Sequence, residues 1–397
     1  AHLLFTETII RALEVGAQDI HLKLYRAENR AYADYKVDGE FLTSARKSFT
    51  GYNDAFKMLR ATYDVYGDKE GGGDLDERSA QDTTFHYEVA MEDGIKRREK
   101  FRLTKTVAEN GDLIYTVIRK LGEQSRTLDE LGLTDAEAKI IRKCFQSALG
   151  MIVTSGPTGS GKSSTLMAGV REFPATKSLQ TLEDPIEIKL YLDHIVQNKL
   201  QGNDFSAQMD SMLRQDIDGM LVGEVRNADT LSLSMAFAGS GHLCATTTHA
   251  NTPMEIIERF KTLGATAAEL ANPSLLKLLM GQRLESKICR HCKIPIVDSD
   301  ALAKTSLTLL NINFMPNTLF RRNEHGCNDC HHTGVSGRQL VLEIIQVDDI
   351  DRGFIRTADY PGWKTHLKSK GHLTLLDKSR ILVEQGDACP IIIESRY

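Results

Sequence analysis

Apolar residues recur at helical spacing over residues 5–15 and stop at Gly16, which predicts an amphipathic helix. Asp19-Ile-His-Leu-Lys-Leu-Tyr25 then alternates apolar and polar positions, the signature of a half-buried strand. Tyr32 to Val37, the turn Asp38-Gly39 and Glu40 to Thr43 form a predicted hairpin, and a helical segment follows over 48–66. Gly71-Gly72-Gly73 reads as a loop. Strands are predicted over 82–91, 95–107 and 112–120, with hairpin turns at Asp93-Gly94 and Asn110-Gly111. Residues 1–120 are therefore expected to make one small α+β domain.

A polar stretch from Gly122 to Asp129 marks a linker, taken as 121–132, and Thr134-Asp-Ala-Glu137 has the form of a capping box that opens a helix. Strand and helix signals then alternate. Met151–Ser155, a helix from Lys162, Ser178–Glu183, Gly219–Gly223, a helix from about 227 and Leu243–Thr247 predict a mostly parallel sheet covered on both faces. This α/β core is expected over 133–284. Residues 285–343, rich in Cys, Gly, Asn and His, break the alternation and read as a metal-stapled insertion, and 344–397 as a helical region.

Composition narrows the class. At 397 residues the chain fits about two domains and a small module, and 41% hydrophobic with 26% charged residues is a globular profile. No stretch approaches the ~20 apolar residues of a membrane span, so any membrane contact is expected to be peripheral. The chain opens Ala-His-Leu-Leu without Met or a signal core, as a trimmed fragment would. A net charge of -5 and a pI near 6.2 give no clear attraction to nucleic acid. The basic run Lys96-Arg97-Arg98 reads as a solvated strand edge or turn. Of seven cysteines, four stand as Cys289-x-x-Cys292 and Cys327-x-x-Cys330, metal-site spacing, while Cys144, Cys244 and Cys389 read as buried thiols.

The strongest chemical signal is Gly156, Pro157, Thr158, Gly159, Ser160, Gly161, Lys162 and Ser163, followed by Ser164, between a predicted strand and a predicted helix. Its glycines let backbone N–H groups curl around phosphate oxygens. Lys162 reaches the terminal phosphates of ATP and the Ser163 hydroxyl ligates Mg²⁺. Asp218-Gly-Met-Leu-Val-Gly-Glu224 is an apolar strand ending in a carboxylate, of the kind that lies beside a phosphate loop. It supplies Glu224 to orient or deprotonate the attacking water. Thr181-Leu-Glu183-Asp184-Pro185-Ile-Glu187 places acids after a strand, where they can hold Mg²⁺ through its waters. Cys289, Cys292, Cys327 and Cys330 can close one tetrahedral Zn²⁺ site without an open position, hence a structural one; His291, His325, His331 and His332 are read as peripheral.

These motifs, in this order, resemble the ATPases of type II secretion and type IV pilus assembly. Thr181 to Glu187 reproduces the family's acidic turn, Leu221-Val-Gly-Glu-Val-Arg226 resembles its Walker B segment, and Gly241-His-Leu with Thr247-Thr-His249-Ala-Asn251 its histidine box. Gln282-Arg283-Leu284 leads into the first cysteine pair. Gly326-Cys-x-x-Cys330 leads through Thr333-Gly to Gly337-Arg338 and Glu343. The resemblance covers about residues 17–345. It implies a RecA-like P-loop domain, an N-terminal PAS-like domain and a zinc-binding tetracysteine module.

The resemblance also implies a cytoplasmic homo-hexamer at the inner face of the bacterial inner membrane, coupling ATP hydrolysis to an inner-membrane platform protein, with no nucleic-acid partner. His249 is then expected to sense the γ-phosphate, with His242 a weaker match. Arg102 and Arg119, from the N-terminal domain, are expected to reach the nucleotide, with Arg97 and Arg98 as substitutes. Pilus extension is the leading output, a type II secretion ATPase the alternative. A nucleic-acid translocase and a non-hydrolysing ATP-binding regulator are the competing classes. Arg226-Asn227 and Asp229-Thr230, Asp216-Ile217-Asp218, and Thr248, Ala250 and Thr252 around His249 depart from the family pattern and point to a type IVb or plasmid pilus branch.

Overall fold

Alternation of small and large apolar residues builds the first sheet. The computed structural model describes residues 1–67, 74–90, 96–108, 112–122, 125–200 and 205–397. Its contacts divide the chain into two units: Ala1–Glu123 with Ser286–Ala301 and Met315–Gly337, and Gln124–Glu285 with Leu302–Phe314 and Arg338–Tyr397.

The first unit runs α1 (His2–Glu14), β1 (Asp19–Tyr25), β2 (Arg30–Val37), β3 (Glu40–Phe41), β4 (Lys47–Ser48), α2 (Tyr52–Tyr66), β5 (Gln81–Ala90), β6 (Lys96–Ala108) and β7 (Leu113–Leu121). The order is β3-β2-β1-β7-β6-β5, antiparallel throughout, with β4 on β2. Ile20, Leu22 and Leu24, two residues apart, turn to the same face as Ala31, Ala33 and Tyr35. Small alanines there leave room for Phe5 and Ile9 of α1 and for Met58 and Leu59 of α2. Helix α2 starts at 52 rather than 48 because Asn29 Oδ1 takes the Tyr52 N–H (3.1 Å), and a Cβ at Gly51 would sit 2.7 Å from that oxygen. Lys96 and Arg98 open β6 opposite Ala90 and Glu88 of β5. The predicted turns at Asp93-Gly94 and Asn110-Gly111, the Gly71–Gly73 loop and the Arg97 side chain lie outside the described residues.

The second unit contains α3 (Asp135–Ser147), β8 (Gly150–Ser155), α4 (Lys162–Val170), β9 (Leu179–Glu183), β10 (Ile195–Lys199), α5 (Phe205–Met212), β11 (Gly219–Val222), α6 (Ala228–Gly239), β12 (Leu243–Thr248), α7 (Glu255–Thr262), α8 (Ala267–Leu270) and β13 (Leu276–Ile288). Along the chain then follow β14 (Ile294–Pro295) and β15 (Phe320–Arg321), which belong to the first unit, with α9 (Ala301–Leu309) between them, and after them β16 (Val335–Gln346), α10 (Asp349–Thr357), α11 (Tyr360–Ser369), α12 (Leu375–Glu384) and α13 (Pro390–Glu394). The main sheet has the order β10-β9-β11-β12-β8-β13-β16, and its pairings from β10 through β13 are parallel.

Both faces of this sheet are covered. Met151, Val153, Met220 and Val222 point into one core with Phe260 and Trp363, whereas Ile152, Leu221, Leu243 and Ala245 point into another with Phe145 and Leu166. That two-sided burial explains why these strands read as continuous apolar runs. The capping box of Thr134 and Glu137 forms as expected. The predicted linker is partly ordered by a second box, Thr127 with Glu130, which seats fully buried Leu128 in the core; residues 123 and 124 lie outside the described residues.

Residues 285–343 are shared between the two units. Their cysteine-bearing stretches group with the first unit, where the Gly337 N–H donates to Asp38 Oδ2 (2.6 Å) and Arg322 pairs with Glu40 (3.3 Å), both on the β2–β3 hairpin. Leu302–Phe314 groups with the second unit.

Candidate nucleotide site and tetracysteine cluster

The phosphate-loop sequence occupies the turn between β8 and α4. Gly156, Gly159 and Gly161 have φ of 150°, 77° and 85°, a region that side chains disfavour. At Gly156 a Cβ would also lie 2.3 Å from the Gln282 carbonyl oxygen. Pro157, Thr158 and Gly159 form an exposed crest, and Ser163 and Ser164 are half-buried in the first turn of α4. No side chain caps that helix, so its leading N–H groups are available to an anion. Lys162 Nζ donates to the carbonyls of Gly156 (2.7 Å) and Pro157 (3.1 Å). Burial depresses the Lys162 ammonium pKa, with Glu224 and Glu187 acting in the opposite sense.

The acidic residues emerge from the same ends of the neighbouring strands. Glu183, the last residue of β9, is buried and accepts from Thr181 Oγ1 (2.7 Å) and Gln197 Nε2 (3.0 Å). Glu224 follows β11. Its Oε1 lies 3.0 Å from His249 Nε2, and its Oε2 accepts from Arg226 Nε at 2.9 Å. Gly223 brings the two acidic segments together: a Cβ there would be 3.5 Å from Glu183 Cα. Strand β12 lies between β11 and β8, so Glu224 and the phosphate loop come from non-adjacent strands. Lys162, Glu183, Glu224 and His249 thus stand at the carboxyl ends of β8, β9, β11 and β12, the customary ligand position in open α/β sheets.

His242 is placed elsewhere. It precedes β12 at the opposite end of the sheet, where its carbonyl accepts the Gly150 N–H, its ring stacks on Phe237 (4.9 Å) and its Nδ1 meets Ser240 Oγ (2.9 Å). Arg102 and Arg119 are direct cross-strand partners on β6 and β7. Arg102 Nε donates to both oxygens of Asp82 (3.1 and 3.0 Å), and Arg119 Nε to Asp19 Oδ1 (2.6 Å). Three contacts went unread in the sequence: Arg226 on Glu224, Gln197 on Glu183, and Gln282, whose Nε2 donates to the Ser160 carbonyl at 2.6 Å. Gln282 had a signal, since it belongs to a recognised motif, but its partner depends on strand order.

The four cysteine sulfurs lie within 4.8 Å of one another, with Cys289–Cys327, Cys292–Cys330 and Cys327–Cys330 each at 3.8 Å. A disulfide needs about 2.05 Å. A tetrahedral Zn(Cys)4 centre with bonds of about 2.3 Å has edges of about 3.8 Å, so the donor set fits zinc. Burial acts to raise the Cys330 thiol, but N–H groups of Cys327 and Gly334 (each 3.2 Å) outweigh it and bring the pKa down to about 7. His291, His325, His331 and His332 are exposed and outside the cluster.

The model of the type II/IV secretion system protein family matches residues 1–391. The chain belongs to that family. Among curated members, the protein transport protein HofB homolog of Escherichia coli (strain K12) is 29% identical over 392 residues, covering 96% of this chain and 78% of that protein. Type II secretion system protein E of Pseudomonas aeruginosa is 29% identical, covering 94% of this chain and 71% of its own length. The type IV pilus assembly ATPase PilB of the same organism is 28% identical, covering 85% and 57%. Among solved structures, the Legionella pneumophila ATPase DotB aligns with a TM-score of 0.65 at 18% identity, covering 100% of this chain and 96% of that one. The pilus retraction motor PilT with bound ADP aligns at 0.61 and 22% identity, covering 98% and 96%. These two likenesses are likenesses of fold. Among the described residues, no helix is long and apolar enough to cross a membrane.

Proposed function

We propose that this family member is an ATP-hydrolysing motor subunit that powers type IV pilus extension. The observation that supports the ATP-hydrolysing part of this reading is the convergence of Lys162, Glu183, Glu224 and His249 at the carboxyl ends of neighbouring strands, beside a phosphate loop whose helix is uncapped; the pilus output rests on the likeness to PilB. In the proposed reaction the loop and Lys162 bind the ATP phosphates. Ser163, and Glu183 through water, hold Mg²⁺, Glu224 positions and deprotonates the attacking water, and His249 senses the γ-phosphate. Arg102 and Arg119 add positive charge to the transferring phosphoryl. The subunit works as a homo-hexamer peripherally bound at the inner face of the inner membrane, against the platform protein. The tetracysteine cluster supports structural zinc.

A type II secretion ATPase driving a pseudopilus is the second reading, favoured by relatives that carry that name at similar identity. Phosphate release by the intact chain, measured beside Lys162→Ala, tests the reaction: the variant should lose turnover and keep its fold, and wild-type turnover in it would sink the assignment. Stimulation of turnover by nucleic acid would revive the translocase, and ATP binding with no phosphate release the regulator. Deletion of the encoding gene separates the two outputs, according to whether pili or a secreted protein disappear.

A further inference from the structure

The floor of the phosphate loop holds a polar contact that the chemistry above does not use. Gln282 is 1% exposed, on β13, directly beneath the loop. Its Nε2 donates to the Ser160 carbonyl at 2.6 Å and lies 3.0 Å from where a Cβ of Gly161 would stand. Its own backbone carbonyl closes on Gly156. Among the described residues, neither Gln282 Oε1 nor the buried Ser160 hydroxyl has a hydrogen-bond partner. A buried amide that serves the loop with one arm and leaves the other unpaired is not the arrangement core packing alone selects.

In a trans peptide the C=O and the following N–H point in opposite directions. Fixing the Ser160 carbonyl toward Gln282 therefore turns the Gly161 N–H away from that side chain. The carbonyls of Gly156 and Pro157 are held differently, by Lys162. If Lys162 turns to a bound phosphate, as the proposed reaction requires, those two carbonyls lose their donor, whereas the Gln282 contact involves no group the phosphate would recruit.

We infer that Gln282 is a positioning residue of the nucleotide site, which sets the Ser160–Gly161 peptide plane so that the loop presents an N–H, rather than a carbonyl, to the β-phosphate. The inference rests on the nucleotide reading and deepens it. Because ATP and ADP both carry a β-phosphate, loss of the clamp should weaken both alike and leave the chemical step largely intact.

The test titrates fluorescent ADP, with ATP competition, into the wild-type chain and into Gln282→Met, which keeps the volume and removes the donor. Unchanged zinc content and Trp363 emission serve as controls for folding. ADP and ATP affinities should each fall by roughly 10-fold, the order expected when one buried carbonyl loses its partner. KM should rise by a like factor, and kcat should change by less than about 3-fold. Gln282→Glu supplies the second arm: ionised, it repels the carbonyl and the phosphate, whereas protonated it can donate again. Its ADP affinity should recover as pH falls from about 8 toward about 5.5, and the Met variant's should not. ADP affinity within twofold of wild type in Gln282→Met, or a fall in kcat with affinity intact, overturns the inference. If the Met variant does not fold, a Glu variant whose affinity shows no recovery at low pH overturns it as well. A wild-type chain that binds no ADP defeats the nucleotide reading itself.

Discussion

Removing zinc should melt one part of the chain and leave another standing. Sulfur–sulfur edges of 3.8 Å belong to a tetrahedron whose centre lies about 2.3 Å from each corner, the Zn–S bond length. Structural zinc contributes roughly 10–16 kcal/mol to folding in small peptides, as large as the whole margin of about 5–15 kcal/mol that holds a domain together. The cysteine-bearing stretches have little apolar core of their own, chiefly Ile288, Ile296, Leu319 and Val335. Without the metal their order should be lost, together with the Gly337 and Arg322 contacts to the Asp38–Glu40 hairpin. The single tryptophan, Trp363, is fully buried in the other unit, where its Nε1–H donates to Asp351 Oδ1 at 2.8 Å, and reports on the nucleotide core. Metal analysis should give one zinc per chain. Chelation, or Cys289→Ser or Cys327→Ser, should expose new proteolytic sites within 286–337 while the Trp363 melting transition moves little. Zinc near zero in carefully prepared protein, or a Trp363 transition that collapses on chelation, would refute the reasoning.

Glu224→Gln keeps the shape beside His249 and Arg226 and removes the base, so ATP binding should persist while hydrolysis falls by roughly 10²-fold or more; loss of nucleotide binding instead would make Glu224 a structural or metal-holding group. Arg102→Ala and Arg119→Ala should bind ATP and turn it over slowly, since guanidinium groups at a transferring phosphoryl can be worth ~10³- to 10⁵-fold; unchanged rates would show that neither arginine acts on the phosphoryl. Light scattering with ATPase assays over a dilution series should show activity per subunit rising with assembly to a hexamer, and a fully active monomer would remove the case for a ring.

Local chemistry was legible and long-range register was not. The phosphate loop needs glycines, lysine and serine at fixed spacing within one turn, so its eight residues speak for themselves. The cysteine pairs do likewise, because each Cys-x-x-Cys brings two sulfurs to one knuckle before the chain folds further. The helix opening at Thr134 was visible because its box closes within four residues. By contrast, the sequence offers both His242 and His249 as matches to the histidine box, His242 the weaker. The predicted strand between them separates the two, but only the parallel register of β12 with β8, Leu243 opposite Gly150 and Thr248 opposite Ser155, shows that His249 is the one at the phosphate-loop end. The short edge strand β10 carries no clear alternation in sequence, although its Gln197 holds Glu183. Arg102 and Arg119 stand seventeen residues apart in sequence, yet antiparallel pairing sets them face to face. Grouping of the cysteine stretches with the first unit turns on Asp38 and Glu40, nearly three hundred residues from Gly337 and Arg322, which no local pattern reveals.

The strand between the lysine and the glutamate acts as a ruler. With β12 interposed, the backbones that carry the phosphate loop and Glu224 stand two inter-strand steps apart, about 10 Å. That width is set by main-chain hydrogen bonds and not by any side chain. Substitutions in β12 such as Cys244→Ala or Thr246→Val should therefore alter how tightly the sheet is packed without changing the gauge between its two reactive edges. A gap of this kind cannot be tuned gradually by point changes; it widens or narrows only by a whole strand. The bore of the site is a property of the ladder, fixed before any nucleotide arrives.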